Sequence, residues 1–264
     1  MIAEAQDFLD ESRALEALIA DLSDDDLAAP TAFKDWSINR VIRHLHMWNY
    51  GAHMGLTDPD GFDAFFANLA KGMAASSMGA VEAEWCPLEG RALIDAWSEY
   101  LDPMTEAFAS ADPKVRVKWA GPSMSARSSI SARLMETWAH GQEVYDLMGQ
   151  VRVNTDRIKS IVVLGVNAYG WTFKVNGREA PQPMPQLVLT APSGEVWTYG
   201  EPGDDRVEGL AEEFCQVVTQ TRNVLDTSLV TTGPNSAEFM RIAQCFAGPP
   251  ETPPAPGTRG IKAA

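Results

Sequence analysis

Apolar side chains recur at every third or fourth position along most of the first 150 residues, which is the period of helices with one buried face. Phe8, Leu15, Leu18, Ile19 and Leu22 predict a first helix over residues 3–23, with acidic residues between them. The charge run Ser23-Asp24-Asp25-Asp26 after it reads as a solvated turn or the start of a short helix. Ser37 is a good N-cap for a second long helix, running to about His53, with Arg40, His44 and Trp48 on one face. Leu93, Trp97, Leu101, Met104 and Phe108 form the stripe of a third, from Arg91 to Ala111, in which Pro103 predicts a kink. A fourth opens at Ser123 or Ser125 and closes at Gly149 in the C′ position. Leu134, Trp138, Val144 and Leu147 mark that helix as largely buried. Between the second and third, the pattern supports only a turn at Asp58 to Gly61, a short helix around Phe62 to Leu69, and a mobile loop from Met73 to Met78.

Beyond residue 150 the texture changes. Thr155-Asp156-Arg157 caps a further helix to about Phe173, and Pro181, Pro183 and Pro185 form a linker-like stretch. Residues 186–190 and 195–199, joined by Pro192-Ser193-Gly194, read as a β-hairpin. Residues 206–222 and 236–246 read as helices, and Leu229 to Thr231 as a strand between them. The expected fold is therefore mainly α. A four-helix bundle spans residues 1–150, a small α+β domain with a linker helix spans 151–247, and a proline-rich tail spans 248–264.

Composition narrows the function. The 264 residues are 45% hydrophobic, enough for a real core, and carry a formal net charge of −15. That charge opposes non-specific binding to nucleic acid and to an anionic membrane surface. The expected partner is a small molecule, and a homodimer is compatible with the pattern. The N-terminus lacks the basic and apolar regions of a signal peptide, no apolar run approaches the length of a membrane span, and a cytoplasmic location is expected. Cys86, Cys215 and Cys245 are too few and too irregular for a disulfide framework or a zinc finger. Cys86 is expected in a loop and the other two in helices, all as small packing groups rather than nucleophiles.

The candidate chemistry lies in Glu136-Thr137-Trp138-Ala139-His140. At about 100° per residue, positions four apart share a helix face, so Glu136 and His140 could ligate one ion. His44 on the second helix would complete a His₂Glu set with one coordination position open, the mark of a catalytic zinc-type site. A solvated i,i+4 pair is the bland alternative. His46 and His53 point away from His44 and read as structural or surface residues, although His46 could reach a neighbouring helix. Glu143, one turn past His140, could serve as general base for hydrolysis by a metal-bound water, but reads more simply as an exposed helix carboxylate. Trp48 and Trp138 could wall a pocket or simply fill the core.

Trp36-Ser37 with Val41-Ile42-Arg43-His44-Leu45, and Glu136-x-x-x-His140 with Asp146 downstream, resemble the two metal motifs of the mycothiol-dependent maleylpyruvate isomerase family, within the DinB/YfiT-like metal-binding helical bundles. The similarity covers about residues 5–150. A looser one links Val207 to Glu212, Thr221-Arg222, Asp226 and Gly233 to that family's small C-terminal domain, which is related to sterol-carrier folds. The resemblance implies a divalent metal, usually zinc, on His44, Glu136 and His140, and a low-molecular-weight thiol such as mycothiol as co-substrate. It also implies a functional arginine at Arg222, where Thr221 replaces the usual preceding glycine; a plain helix-surface arginine is an equal reading. The implied activity is isomerisation of, or thiol transfer to, a small electrophile. The rival readings are a non-catalytic metal- or ligand-binding module and a metal–water hydrolase.

Overall fold

The helical period is realised as seven helices before residue 150. In the computed structural model, which describes residues 1–261, they are α1 Glu4–Ile19, α2 Asp24–Ala28, α3 Ile38–Thr57, α4 Pro59–Ala75, α5 Met78–Trp85, α6 Gly90–Ser110 and α7 Ala126–Leu147. The chain divides into two compact units, Met1–Val144 and a second that begins at Tyr145.

In the first unit the apolar faces of α1 and α3 both pack on α6. The stripe Leu93, Trp97, Leu101, Met104 and Phe108 is buried throughout, and Pro103 sits inside α6 without ending it. Ser37 caps α3 by accepting from the Arg40 amide at 3.2 Å. The acidic run after α1 is the short helix α2, closed by a capping box in which Ser23 and Asp26 satisfy each other's amides.

The stretch with the weakest pattern differs most from expectation. Pro59–Ala75 form one helix, α4, capped by Asp58 with Pro59 in its first turn, and Met73 to Ala75 belong to it rather than to a loop. Ser77 then caps α5. Phe65, Phe66, Met73 and Met78 pack against Met47, Trp48, Leu69 and Val81. Burial of these side chains offsets the weak propensity of the Gly/Ala/Ser run.

A two-stranded ribbon, β1 Arg116–Val117 and β2 Met124–Ser125, lies between α6 and α7. It approaches α3 closely at Gly55, where a Cβ would clash with the Lys118 carbonyl oxygen.

The second unit contains α8 Lys159–Asn167, α9 Tyr169–Val175, α10 Ala211–Val218 and α11 Pro234–Ile242. Its four strands are β3 Gln186–Thr190, β4 Val196–Tyr199, β5 Arg206–Leu210 and β6 Val230–Thr232, in spatial order β4-β3-β5-β6. β3 and β5 run parallel and the other pairs antiparallel. The single helix expected over 206–222 is therefore replaced by β5 and a shorter α10. Ladder bonds to β3 on one side and β6 on the other hold residues 206–210 extended, and Gly209, at φ 147°, sits against Leu229 where a side chain would clash. The helix expected to run to Phe173 breaks at Ala168 into α8 and α9. Cys245 lies beyond the end of α11 rather than in a helix. Among the described residues no helix is long and apolar enough to cross a membrane.

Two predictions follow from this packing. Replacing glycine by alanine inside a helix normally stabilises it, by about 1 kcal/mol. At Gly55 the Cβ would meet backbone, so Gly55→Ala is expected to cost about 1–3 kcal/mol as an overpacked contact, read as a lower denaturant midpoint. Glu238 supplies a pH dependence. Hydrogen bonds from Arg241, and then from Arg178, lower its pKa from 4.5 to about 2. The folded pKa is depressed, so the stability it contributes is present above about pH 4.5 and lost as pH falls toward about 2. Glu238→Gln should flatten the acid limb of the Tm–pH curve in that window.

Candidate metal centre

The first unit brings His44, Glu136 and His140 together. His44 comes from the middle of α3; Glu136 and His140 come from one face of α7. Oε2 of Glu136 lies 3.7 Å from Nε2 of His44 and 3.5 Å from Nε2 of His140. The three ligand atoms all fall within 4.8 Å of one another. Neither His–Glu contact has the distance and alignment of a good hydrogen bond. Both are close to the separation of about 3.3 Å that bond lengths of 2.0–2.1 Å impose on neighbours around a tetrahedral zinc. The donor set and spacing thus fit one divalent ion. The triad is largely buried, with His140 8% exposed.

The electrostatics are set by bringing charge out of water. Burial raises the Glu136 carboxylate's pKa, but His140 and His44 outweigh it, and the net result is a pKa well below the usual carboxylate range. For His44 burial pulls downward, and Glu136 and Glu82 overcome it, leaving the pKa raised. For His140 burial dominates and the pKa is lowered.

A ring of supporting groups surrounds the three. The segment from Pro30 to Ser37 closes on itself through a bridge between those two residues and a bond from the Thr31 amide to the Trp36 carbonyl at 2.8 Å. Lys34 and Asp35 both adopt the left-handed conformation, at φ 51° and 56°, strain of the kind that clusters at functional sites. This tight turn delivers two aromatic rings. Trp36 stacks on His140 at 5.4 Å with planes 9° apart, and Phe33 meets the same imidazole edge-on at 5.1 Å. Trp36 also lies 5.2 Å from His44. Behind Glu136, one turn back on α7, Arg133 is 2% exposed and donates to Oδ1 of Asn49 at 3.0 Å. Burial lowers its pKa to about 10 against the upward pull of Glu136.

Several expectations change here. Glu143 is not an exposed carboxylate: it is 1% exposed. Helix α7 buries side chains around its whole circumference, so a position read as its solvated side lies inside. Trp138 is fully buried core; Trp48 is 8% exposed and 6.4 Å from the His44 ring. His46 and His53 stay outside the triad, among Trp85 and Tyr100. Glu82, Arg133 and the stacking role of Trp36 were not anticipated.

Arg222 belongs to the second unit and is not on a helix. α10 ends at Val218, and Gln220, at φ 58°, takes the left-handed cap position. Thr221 itself is not among the residues with positive φ. The Arg222 guanidinium is 2.6 Å from Asp146 and bonds the Thr221 carbonyl at 2.8 Å.

The sequence matches the family model of the mycothiol maleylpyruvate isomerase N-terminal domain over residues 8–145, just over half of the chain. The chain belongs to the mycothiol maleylpyruvate isomerase N-terminal domain family. Two uncharacterized proteins of Mycobacterium tuberculosis, from strains CDC 1551/Oshkosh and ATCC 25618/H37Rv, are each 37% identical to it over 245 residues, covering 91% of this chain and 93% of theirs. A crystal structure of the mycothiol-dependent maleylpyruvate isomerase aligns with a TM-score of 0.52 over 88% of this chain and 95% of that one. At 15% identity this is a likeness of fold alone. His44, Glu136 and His140 all lie within the matched residues.

The Arg222–Asp146 pair carries its own prediction. The two side chains are 10% and 4% exposed. Removing one partner of a buried pair typically costs about 3–5 kcal/mol, because the other charge is left unmatched. Asp146→Ala should lower the unfolding free energy by about that much in a denaturant titration.

Proposed function

We propose that this protein is a divalent-metal enzyme that uses a small diffusible thiol, mycothiol or a close analogue, to isomerise an electron-poor double bond or to transfer the thiol to an electrophile. The observation that carries the reading is the convergence of two imidazole Nε2 atoms and one carboxylate oxygen within 4.8 Å, in a chain of this family. Nε2 of His44, Nε2 of His140 and Oε2 of Glu136 would hold the ion, zinc being the first candidate for such a donor set. Zinc bound there would supply the positive charge that favours the deprotonated form of a thiol at an open position.

The chain's own residues do the rest. Glu136 stays ionised because the two imidazoles and Arg133 surround it. Arg133 adds a fixed positive charge behind the site, which favours an anionic sulfur over a neutral one. Trp36 and Phe33 hold the plane of His140 and keep water from one side. A thiolate adds to the electrophilic carbon, forming a carbon–sulfur bond while the π electrons move into the conjugated acceptor. Rotation about the resulting single bond and expulsion of the thiolate return the isomer, with no net proton or electron change. Within the second unit, Arg222 is held in one orientation by Asp146, and a guanidinium so held is suited to pair with a carboxylate.

The test has two parts. Purified protein is expected to hold close to one divalent ion per chain, and His140→Ala to lose it, by elemental analysis; full metal content in that variant would sink the site. Turnover of an electrophile panel should require added mycothiol and vanish without it. Activity with metal but no thiol would instead favour hydrolysis. Chelation should abolish activity while the helical circular-dichroism signal persists, because the core of the bundle does not depend on the ion.

A further inference from the structure

One carboxylate beside the triad has no part in the chemistry proposed above. Glu82, on α5, is 0% exposed. Its Oε1 is 2.6 Å from Nδ1 of His44, the ring nitrogen that faces away from Glu136. Its Oε2 makes no hydrogen bond and lies 3.9 Å from Nε of Arg40, which also lacks one. Arg40 in turn spreads over Trp36, 4.1 Å from the ring centroid, and Trp36 is the ring stacked on His140. Gly79, one turn before Glu82, makes room: a Cβ there would lie 2.9 Å from the Arg40 guanidinium carbon.

A carboxylate taken wholly out of water costs several kcal/mol before compensation. Packing alone would be better served by an apolar side chain at this position. A carboxylate can only accept a hydrogen bond, so Nδ1 of His44 must be the donor. In the neutral ring that leaves Nε2, the atom facing Glu136 and His140, with its lone pair free. Arg40 balances the charge of Glu82 without occupying Oε1.

We infer that Glu82 is the positioning residue of this centre: it holds His44 in the Nδ1–H tautomer and the ring orientation that present Nε2 to a divalent ion. Arg40 links this support to the Trp36 stack on His140, so both histidines are steadied by one carboxylate–guanidinium couple. The inference rests on the metal reading of His44, Glu136 and His140. Partners of this kind typically contribute 10–100-fold to metal affinity.

The experiment measures zinc affinity by chelator competition for wild type, Glu82→Gln and Glu82→Ala. In the zinc-loaded proteins it also records the imidazole Nδ1–H proton resonance of His44. Glu82→Gln preserves shape and serves if the alanine variant does not fold. Zinc should bind about 10–100-fold more weakly to the variants, with circular dichroism unchanged. The strongly downfield Nδ1–H signal of a carboxylate-bound imidazole should be present in wild type and lost or moved upfield in both variants, a change that general loosening of α5 would not by itself produce. Variants that bind zinc within threefold of wild type, or that keep the downfield signal, overturn the inference alone. A wild-type protein that takes up no zinc overturns the metal reading and this inference with it.

Discussion

The demand of one half-buried carboxylate orders the first unit. Glu136 sits where α7 meets α3, and the groups around it hold its pKa well below the usual carboxylate range. Its charge is met by His44 from α3, by His140 one turn along α7 and by Arg133 one turn back. Each of those groups then needs its own partner. His44 turns its second nitrogen to Glu82, Arg133 donates to Asn49, and His140 is covered by Trp36. The result is a polar network reaching from α7 through α3 to α5 and the Pro30–Ser37 turn. Such a network holds its helices in one register, since a slip of one residue on α3 would strand several buried charges at once.

How much of this could be read in the sequence follows from how local each signal is. Glu136 and His140 share a helix turn, and a helix period is enough to pair them. His44 needed a second helix and the motif around it. The supporting groups are harder. Glu82 is 38 positions from His44, in a stretch whose apolar pattern did not resolve into elements, so nothing linked it to the triad. Arg133 was on the right face of α7, three positions before Glu136. A fully buried arginine is rare, so nothing in its residue type marks it as part of a buried site. Trp36 entered as part of a motif, but its stack on His140 depends on two consecutive left-handed residues, Lys34 and Asp35, neither of them glycine. Glu143 misled for the opposite reason: a helix buried on all sides has no polar face from which to infer exposure.

In the second unit long-range pairing overrides local preference. Residues 206–222 have helical composition, with Glu208, Leu210, Ala211, Glu212 and Glu213 in sequence, and a single helix was the local reading. Two neighbouring strands supply ladder bonds that a lone helix could not match, and Gly209 permits an extended conformation against Leu229 that other residues would resist. The shorter α10 then ends in a left-handed cap at Gln220, which turns Arg222 back to meet Asp146. The location of that arginine is thus a consequence of where a strand ends.

The same constraints bear on where a reactive sulfur could come from. A thiol becomes a nucleophile when positive charge stabilises its thiolate, and loses reactivity when burial in apolar surroundings raises its pKa. Cys215 is the second case: it is fully buried, and burial carries its pKa well above the ordinary thiol value. It lies with Cys245 in the second unit. Cys86 is in the first unit, but it is 6% exposed and follows α5, and its carbonyl is tied to Nε of Arg43 at 2.8 Å, which fixes its backbone in place. Within the first unit Cys86 is not among the groups described around His44, Glu136 and His140, so the proposed thiolate chemistry draws on a diffusible thiol rather than on that cysteine.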